Sequence, residues 1–61
     1  MGYYVLYKSS TAFTQKYYFV LKASNHETIV TSEMYSTKQG ALNGIRSVQD
    51  NGPSKEIRDN T

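Results

Sequence analysis

The stretch Gln15-Lys16-Tyr17-Tyr18-Phe19-Val20-Leu21-Lys22-Ala23 decides the fold. Aromatic and β-branched side chains fit a pleated surface, so this run predicts the strongest strand of the chain. Alternate residues of a strand point to opposite faces. Tyr17, Phe19, Leu21 and Ala23 therefore share one side, and Lys16, Tyr18, Val20 and Lys22 share the other. Both sides carry large apolar groups, so the sheet has two faces to cover.

Upstream, Tyr3 to Lys8 reads Tyr-Tyr-Val-Leu-Tyr-Lys, a second strand of the same chemistry. The segment Ser9 to Thr14 is polar and loop-like apart from Phe13. Downstream, Ser24-Asn25-His26-Glu27 reads as a turn and Thr28 to Ser32 as a third strand. Short connections favour hairpins, so the three strands are expected to form an antiparallel meander.

A helix follows. Ser36 is a good N-cap and Gln39 stands three residues on, which predicts a capping box. Ala41, Leu42, Ile45 and Val48 recur at helical spacing, with Gln39, Asn43, Arg46, Ser47 and Asp50 opposite. Asn51-Gly52-Pro53 is a stop signal, with Gly near the C′ position and Pro just beyond. A single helix covers a single face of the sheet. Tyr4, Leu6, Phe19, Leu21 and Ile29 are assigned to the helix side, where they form a core with Leu42, Ile45 and Val48. Tyr3, Val5, Tyr7, Tyr18 and Val20 fall on the other side, an aromatic surface to leave in water. The fold class is α+β, one domain over residues 1–61.

Composition bounds the rest. In 61 residues only 38% are hydrophobic, and there is no cysteine. Natural chains of this size add disulfides, a metal or a second subunit. Without cysteine there is no disulfide and no thiolate metal site, and His26 is the one histidine. A second subunit is the remaining source of stability. The net charge of +2, with no block of like charges, permits only weak attraction to polyanions. No stretch approaches the roughly 20 apolar residues of a membrane span, and Met1-Gly2-Tyr3-Tyr4 lacks the basic start of a signal peptide. Met1-Gly2 begins like a myristoylation site, but Leu6 stands where Ser or Thr is preferred. A cytoplasmic address with no membrane partner is expected.

The runs Leu21-Lys22-Ala23-Ser24-Asn25, Thr31-Ser32-Glu33, Tyr35-Ser36, Lys38, Leu42-Asn43-Gly44-Ile45, Ser47-Val48 and Asn51-Gly52-Pro53, in that order, carry a resemblance. From Tyr3 to Ile57 the chain resembles the YegP-like family (UPF0339, DUF1508) of uncharacterised small bacterial proteins. The resemblance implies a β-β-β-α-β unit that joins a second unit by exchanging last strands, the second being a tandem repeat or an identical chain. For a chain with one unit it implies a homodimer jointed at Pro53, Lys55 and Ile57, within Pro53 to Asp59. That accounts for Ser54 to Asp59, which has one apolar residue and would not read as a strand alone. The chain departs from the family pattern in two places. Asn25-His26 stands where members commonly have Asn-Gly, although His enters φ > 0 less cheaply than Gly. The Ser9 to Gln15 loop is longer than usual.

No catalytic, cofactor or metal site is expected. His26 is the one candidate general base, and it reads as a solvent-facing turn residue. Glu27, Glu33, Asp50, Glu56 and Asp59 are scattered, with no acid/base pair among them. Metal binding needs more clustered ligands than these. Gly40 and Gly44 each cost the helix about 1 kcal/mol against Ala, and close approach of the helix backbone to the sheet or a second subunit explains them. The expected function is a non-enzymatic homodimeric structural or interaction module. The alternative is weak binding of nucleic acid or another anion on the open face, through Tyr3, Tyr7, Lys16, Tyr18 and Lys22, since RNA-binding sheets stack bases on such rings.

Overall fold

The computed structural model describes residues 1–11 and 13–61, so the part of the Ser9 to Gln15 loop at Ala12 lies outside the described residues. Strand β1 (Tyr3–Lys8), strand β2 (Tyr17–Lys22), strand β3 (Thr28–Thr31) and helix α1 (Lys38–Asn51) follow in chain order. The strands form an antiparallel sheet in the order β1-β2-β3 with α1 against it, an α+β arrangement.

The β1–β2 register runs from Tyr3↔Lys22 to Lys8↔Tyr17, with Val5 opposite Val20 and Tyr7 opposite Tyr18. This ladder sets Tyr3, Val5, Tyr7, Tyr18, Val20 and Lys22 on one face and Tyr4, Leu6, Phe19 and Leu21 on the other, as the alternation predicts. The β2–β3 ladder contains an irregularity. Leu21 pairs with Val30, but Lys22 pairs with Thr28, so Ile29 is the extra residue of a bulge. This corrects the core assignment. Val30, not Ile29, sits across from Leu21, and neither joins the core, Ile29 being 59% and Val30 51% exposed.

β3 stops at Thr31 because Ser32 replaces the ladder with its own side chain. Ser32 N–H donates to Phe19 O (2.9 Å), while Phe19 N–H donates to Ser32 Oγ (2.9 Å). Pairing resumes at Tyr35, whose N–H and C=O both bond Tyr17 (2.7 and 2.9 Å). The chain thereby stays alongside β2 until it enters the helix.

The helix is capped one residue later than the capping-box pattern indicates. Thr37, extended at φ −131° and ψ 154°, accepts the Gly40 N–H on Oγ1 (2.9 Å). Gln39 donates forward to Asn43 Oδ1 (3.1 Å) and closes no box with Ser36. At the other end Gly52 keeps right-handed backbone angles, and its N–H reaches Val48 O (2.6 Å).

The core is small. Phe19, Val20 and Ala41 are the buried hydrophobics among the described residues. Tyr4 meets Phe19 edge-on (6.1 Å between centroids), and Tyr35 stacks on Phe19 (6.2 Å, 18°). Gly44 lets the helix lie on this cluster. A Cβ there would stand 2.8 Å from Tyr35 Cζ and 3.0 Å from Phe19 Cε2. The close approach expected at Gly44 is thus made to the sheet-side aromatics. Ile45 and Val48 are half-buried beside it, whereas Leu42, assigned to the core, is 38% exposed.

Candidate functional site

Two regions carry the residues that the sequence singles out. The first is the sheet face away from α1. Cross-strand pairing brings Tyr7 and Tyr18 together as a stacked pair, 5.2 Å between centroids and 22° between planes. Tyr3 and Lys22 are direct cross-strand partners at the other end of the same ladder. Lys16 precedes β2, and its carbonyl accepts the Ser9 N–H (2.6 Å), which extends the hairpin past Lys8↔Tyr17. Tyr3 and Tyr7 are exposed, while Lys16, Tyr18 and Lys22 are half-buried. Val20 is 7% exposed on this same face, flanked across the ladders by Val5 and Thr31. The ladder thus brings Tyr3, Tyr7, Tyr18 and Lys22 to one surface with Val5 and Val20 as its apolar middle, while Lys16 stands just outside it.

His26 joins this face, which the sequence did not signal. It occupies the β2–β3 turn at φ 72°, the one positive-φ non-glycine residue described. Ala23 and Glu27 close the turn (Ala23 N–H to Glu27 O, 2.8 Å), and Glu27 N–H is held by Asn25 Oδ1 (3.2 Å). His26 thus takes the left-handed place at the position where family members commonly have Gly. Its ring meets Tyr3 edge-on (5.8 Å), and the Tyr3 hydroxyl bonds Nδ1 (2.7 Å). His26 is exposed, as read, but it is not without a partner. No carboxylate takes part in this contact, and among the described residues there is no metal-ligating group of three or more.

The second region is residues 53–61. Every residue from Asn51 onward is exposed, Ile57 by 89%. Pro53, Lys55 and Ile57 make no pairing with β1, β2 or β3. The segment's hydrogen bonds are local. Ser54 N–H reaches Asn51 O (3.2 Å), Glu56 N–H reaches Ser54 Oγ (3.2 Å), and Arg58 pairs with Glu56. Thr61 donates both its hydroxyl and its N–H to Asp59 Oδ1, which holds the Asp59 carboxyl below its ordinary value. No described helix is long and apolar enough to cross a membrane.

The profile of a domain of unknown function, DUF1508, matches residues 14–59. The chain belongs to the DUF1508 family. It is 49% identical to the UPF0339 protein YegP of Escherichia coli K12 over 55 residues, covering 90% of this chain and 50% of that protein. A UPF0339 protein of Photorhabdus laumondii is 52% identical over 63 residues, covering 98% of this chain and 53% of its own. A third, from Shewanella oneidensis, is 50% identical over 64 residues, with 97% and 56% covered. The DUF1508 chain thus spans about half the length of the curated relatives it matches. No solved structure matches it. The family is uncharacterised, so no residue role passes from these relatives to this DUF1508 chain.

Proposed function

We propose that this DUF1508 unit is a non-catalytic structural or interaction module, working as a homodimer in which residues 53–59 of each copy complete the sheet of the other. One observation carries the reading. The tail leaves α1 with its one large apolar residue, Ile57, 89% exposed, and none of its backbone in the sheet. The sheet meanwhile ends in two outer strands, β1 and β3, each paired on one side only. Open edges and a tail outside the sheet are complementary, because each lacks what the other offers. An apolar groove of about 520 Å³ lies at the root of the tail, lined by Met1, Tyr4, Leu21, Val48 and Pro53 among others. In this reading it receives Ile57 of the second copy. Relatives about twice as long have room for two such units in one chain.

Deleting residues 54–61 tests this. The truncated chain is expected to sediment as a monomer or to aggregate, and to unfold at lower denaturant than the parent. A truncated dimer as stable as the parent contradicts strand exchange.

A second reading has its own observation. The Tyr7–Tyr18 stack and the Tyr3/Lys22 pair form an aromatic and basic strip on the open face. Such a strip suits weak binding of single-stranded nucleic acid by stacking and phosphate attraction. The Tyr18→Ala, Lys22→Ala double variant should stay folded and lose salt-sensitive oligonucleotide binding. A wild type that binds no oligonucleotide at low salt removes this reading.

A further inference from the structure

On the helix side of the sheet, a cleft of about 450 Å³ is lined by Leu6, Tyr7, Lys8, Tyr17 and Lys38. Lys8 and Tyr17 are cross-strand partners and share the face of Leu6. The Tyr17↔Tyr35 bridge draws the chain that enters α1 alongside β2, and Lys38 is the first residue of that helix. Tertiary pairing therefore assembles two lysines, 30 positions apart, at one opening.

Among the described residues nothing in the cleft neutralises them. No carboxylate lines it, the first turn of α1 has no acidic residue, and the one ion pair among the described residues is Arg58–Glu56. Lys8 Nζ lies 5.8 Å from the centroid of the Tyr17 ring. That contact positions the ammonium group over the aromatic face and leaves its charge in place. Two like charges around one opening repel, and an anion between them relieves the repulsion. Thr37 Oγ1 holds the Gly40 N–H, so that donor of the helix terminus is already taken and the ammonium groups are the charged attraction at the opening.

The geometry points to a binding site for the phosphate monoester of a small, partly apolar molecule. Lysine binds phosphate as a point charge, and two exposed lysines line this opening. The cleft falls within the roughly 300 to 1,000 Å³ of ligand pockets, well beyond what a lone phosphate fills. Leu6 and the flank of Tyr17 supply apolar surface for the ester's body. The site lies across the sheet from Tyr3, Tyr18 and Lys22, and Tyr7 is the one lining residue it shares with the open-face strip. It does not depend on strand exchange.

The test is a titration of the full ¹⁵N-labelled chain with adenosine monophosphate, inorganic phosphate and adenosine at matched ionic strength, followed by amide shifts. Adenosine monophosphate is expected to move Lys8, Tyr17 and Lys38 saturably, inorganic phosphate to bind more weakly, and adenosine to leave them still. Lys8→Gln and Lys38→Gln together should weaken adenosine monophosphate binding at least about tenfold, two charge-assisted contacts being lost. The same variant should keep the amide spectrum of the fold, because neither lysine is in an ion pair. The Tyr18→Ala, Lys22→Ala variant should bind adenosine monophosphate as the parent does. The proposal fails if adenosine monophosphate moves nothing, if the shifts persist in the lysine variant, or if inorganic phosphate binds equally well. Shifts lost only in the Tyr18→Ala, Lys22→Ala variant would place the ligand on the open face and also overturn it.

Discussion

A Cβ added at Gly44 must displace either the Tyr35 ring or Phe19, the most buried aromatic residue. Ala is the better helix former by about 1 kcal/mol, but overpacking a core typically costs about 1 to 3 kcal/mol. Gly44→Ala is therefore expected to destabilise the chain by about 1 kcal/mol or more, read from urea unfolding; a stabilised variant would show that the ring yields freely. His26 poses the opposite question. An L residue at φ 72° bears a strain of about 1 to 2 kcal/mol that Gly escapes, while the bond to Tyr3 returns about 0.5 to 1.5 kcal/mol. His26→Gly should leave stability nearly unchanged, and His26→Ala should lose about 1 kcal/mol relative to it. Equal stabilities for the Gly and Ala variants would contradict the left-handed turn. The sequence foretold the tension at Asn25-His26, since a family turn favouring Gly met a residue with a Cβ. It carried no sign of Tyr3 as the partner, because 23 positions separate them and only the β1–β2 register brings them near.

At the scale of elements, β1 was legible to its ends because aromatic and β-branched residues fill Tyr3 to Lys8 without a break. β2 is shorter than the Gln15 to Ala23 run suggests, since the β1 ladder ends at Tyr17 and Lys22 and leaves Gln15, Lys16 and Ala23 outside it, where the alternation alone gives no signal to stop. The start of α1 was displaced by one because Ser36 and Thr37 are both competent caps, and only the backbone angles at Thr37 decide between them. Thr37→Ala is accordingly expected to cost about 1 kcal/mol, and Ser36→Ala much less. Thermal unfolding of the two variants checks it, with the reverse order restoring Ser36 as the cap. Ile29 misled the core assignment for a different reason. A bulge changes which residue faces inward without changing composition, so a period-two reading passes over it. Tyr35 was missed because a lone aromatic between a strand and a cap has no periodicity, yet it bridges Tyr17, stacks on Phe19 and fills the space under Gly44.

At the scale of the molecule, three buried hydrophobics among the described residues are a slim interior for a domain of this length. The light apolar composition made that readable in advance, as did the weak pattern of Ser54 to Asp59. The candidate surfaces were less legible. The open-face strip follows from strand alternation alone, whereas the Lys8/Lys38 cleft needs the Tyr17↔Tyr35 bridge to exist. The assembly claim rests on open sheet edges meeting an exposed, apolar-tipped tail. Isotope-filtered NOE spectroscopy on a mixture of labelled and unlabelled copies addresses it most directly. Strand exchange predicts cross-peaks between residues 54–59 of one copy and an outer strand of another, with Ile57 methyls against Tyr4 or Leu21. A monodisperse monomer whose tail shows only intrachain contacts would contradict it.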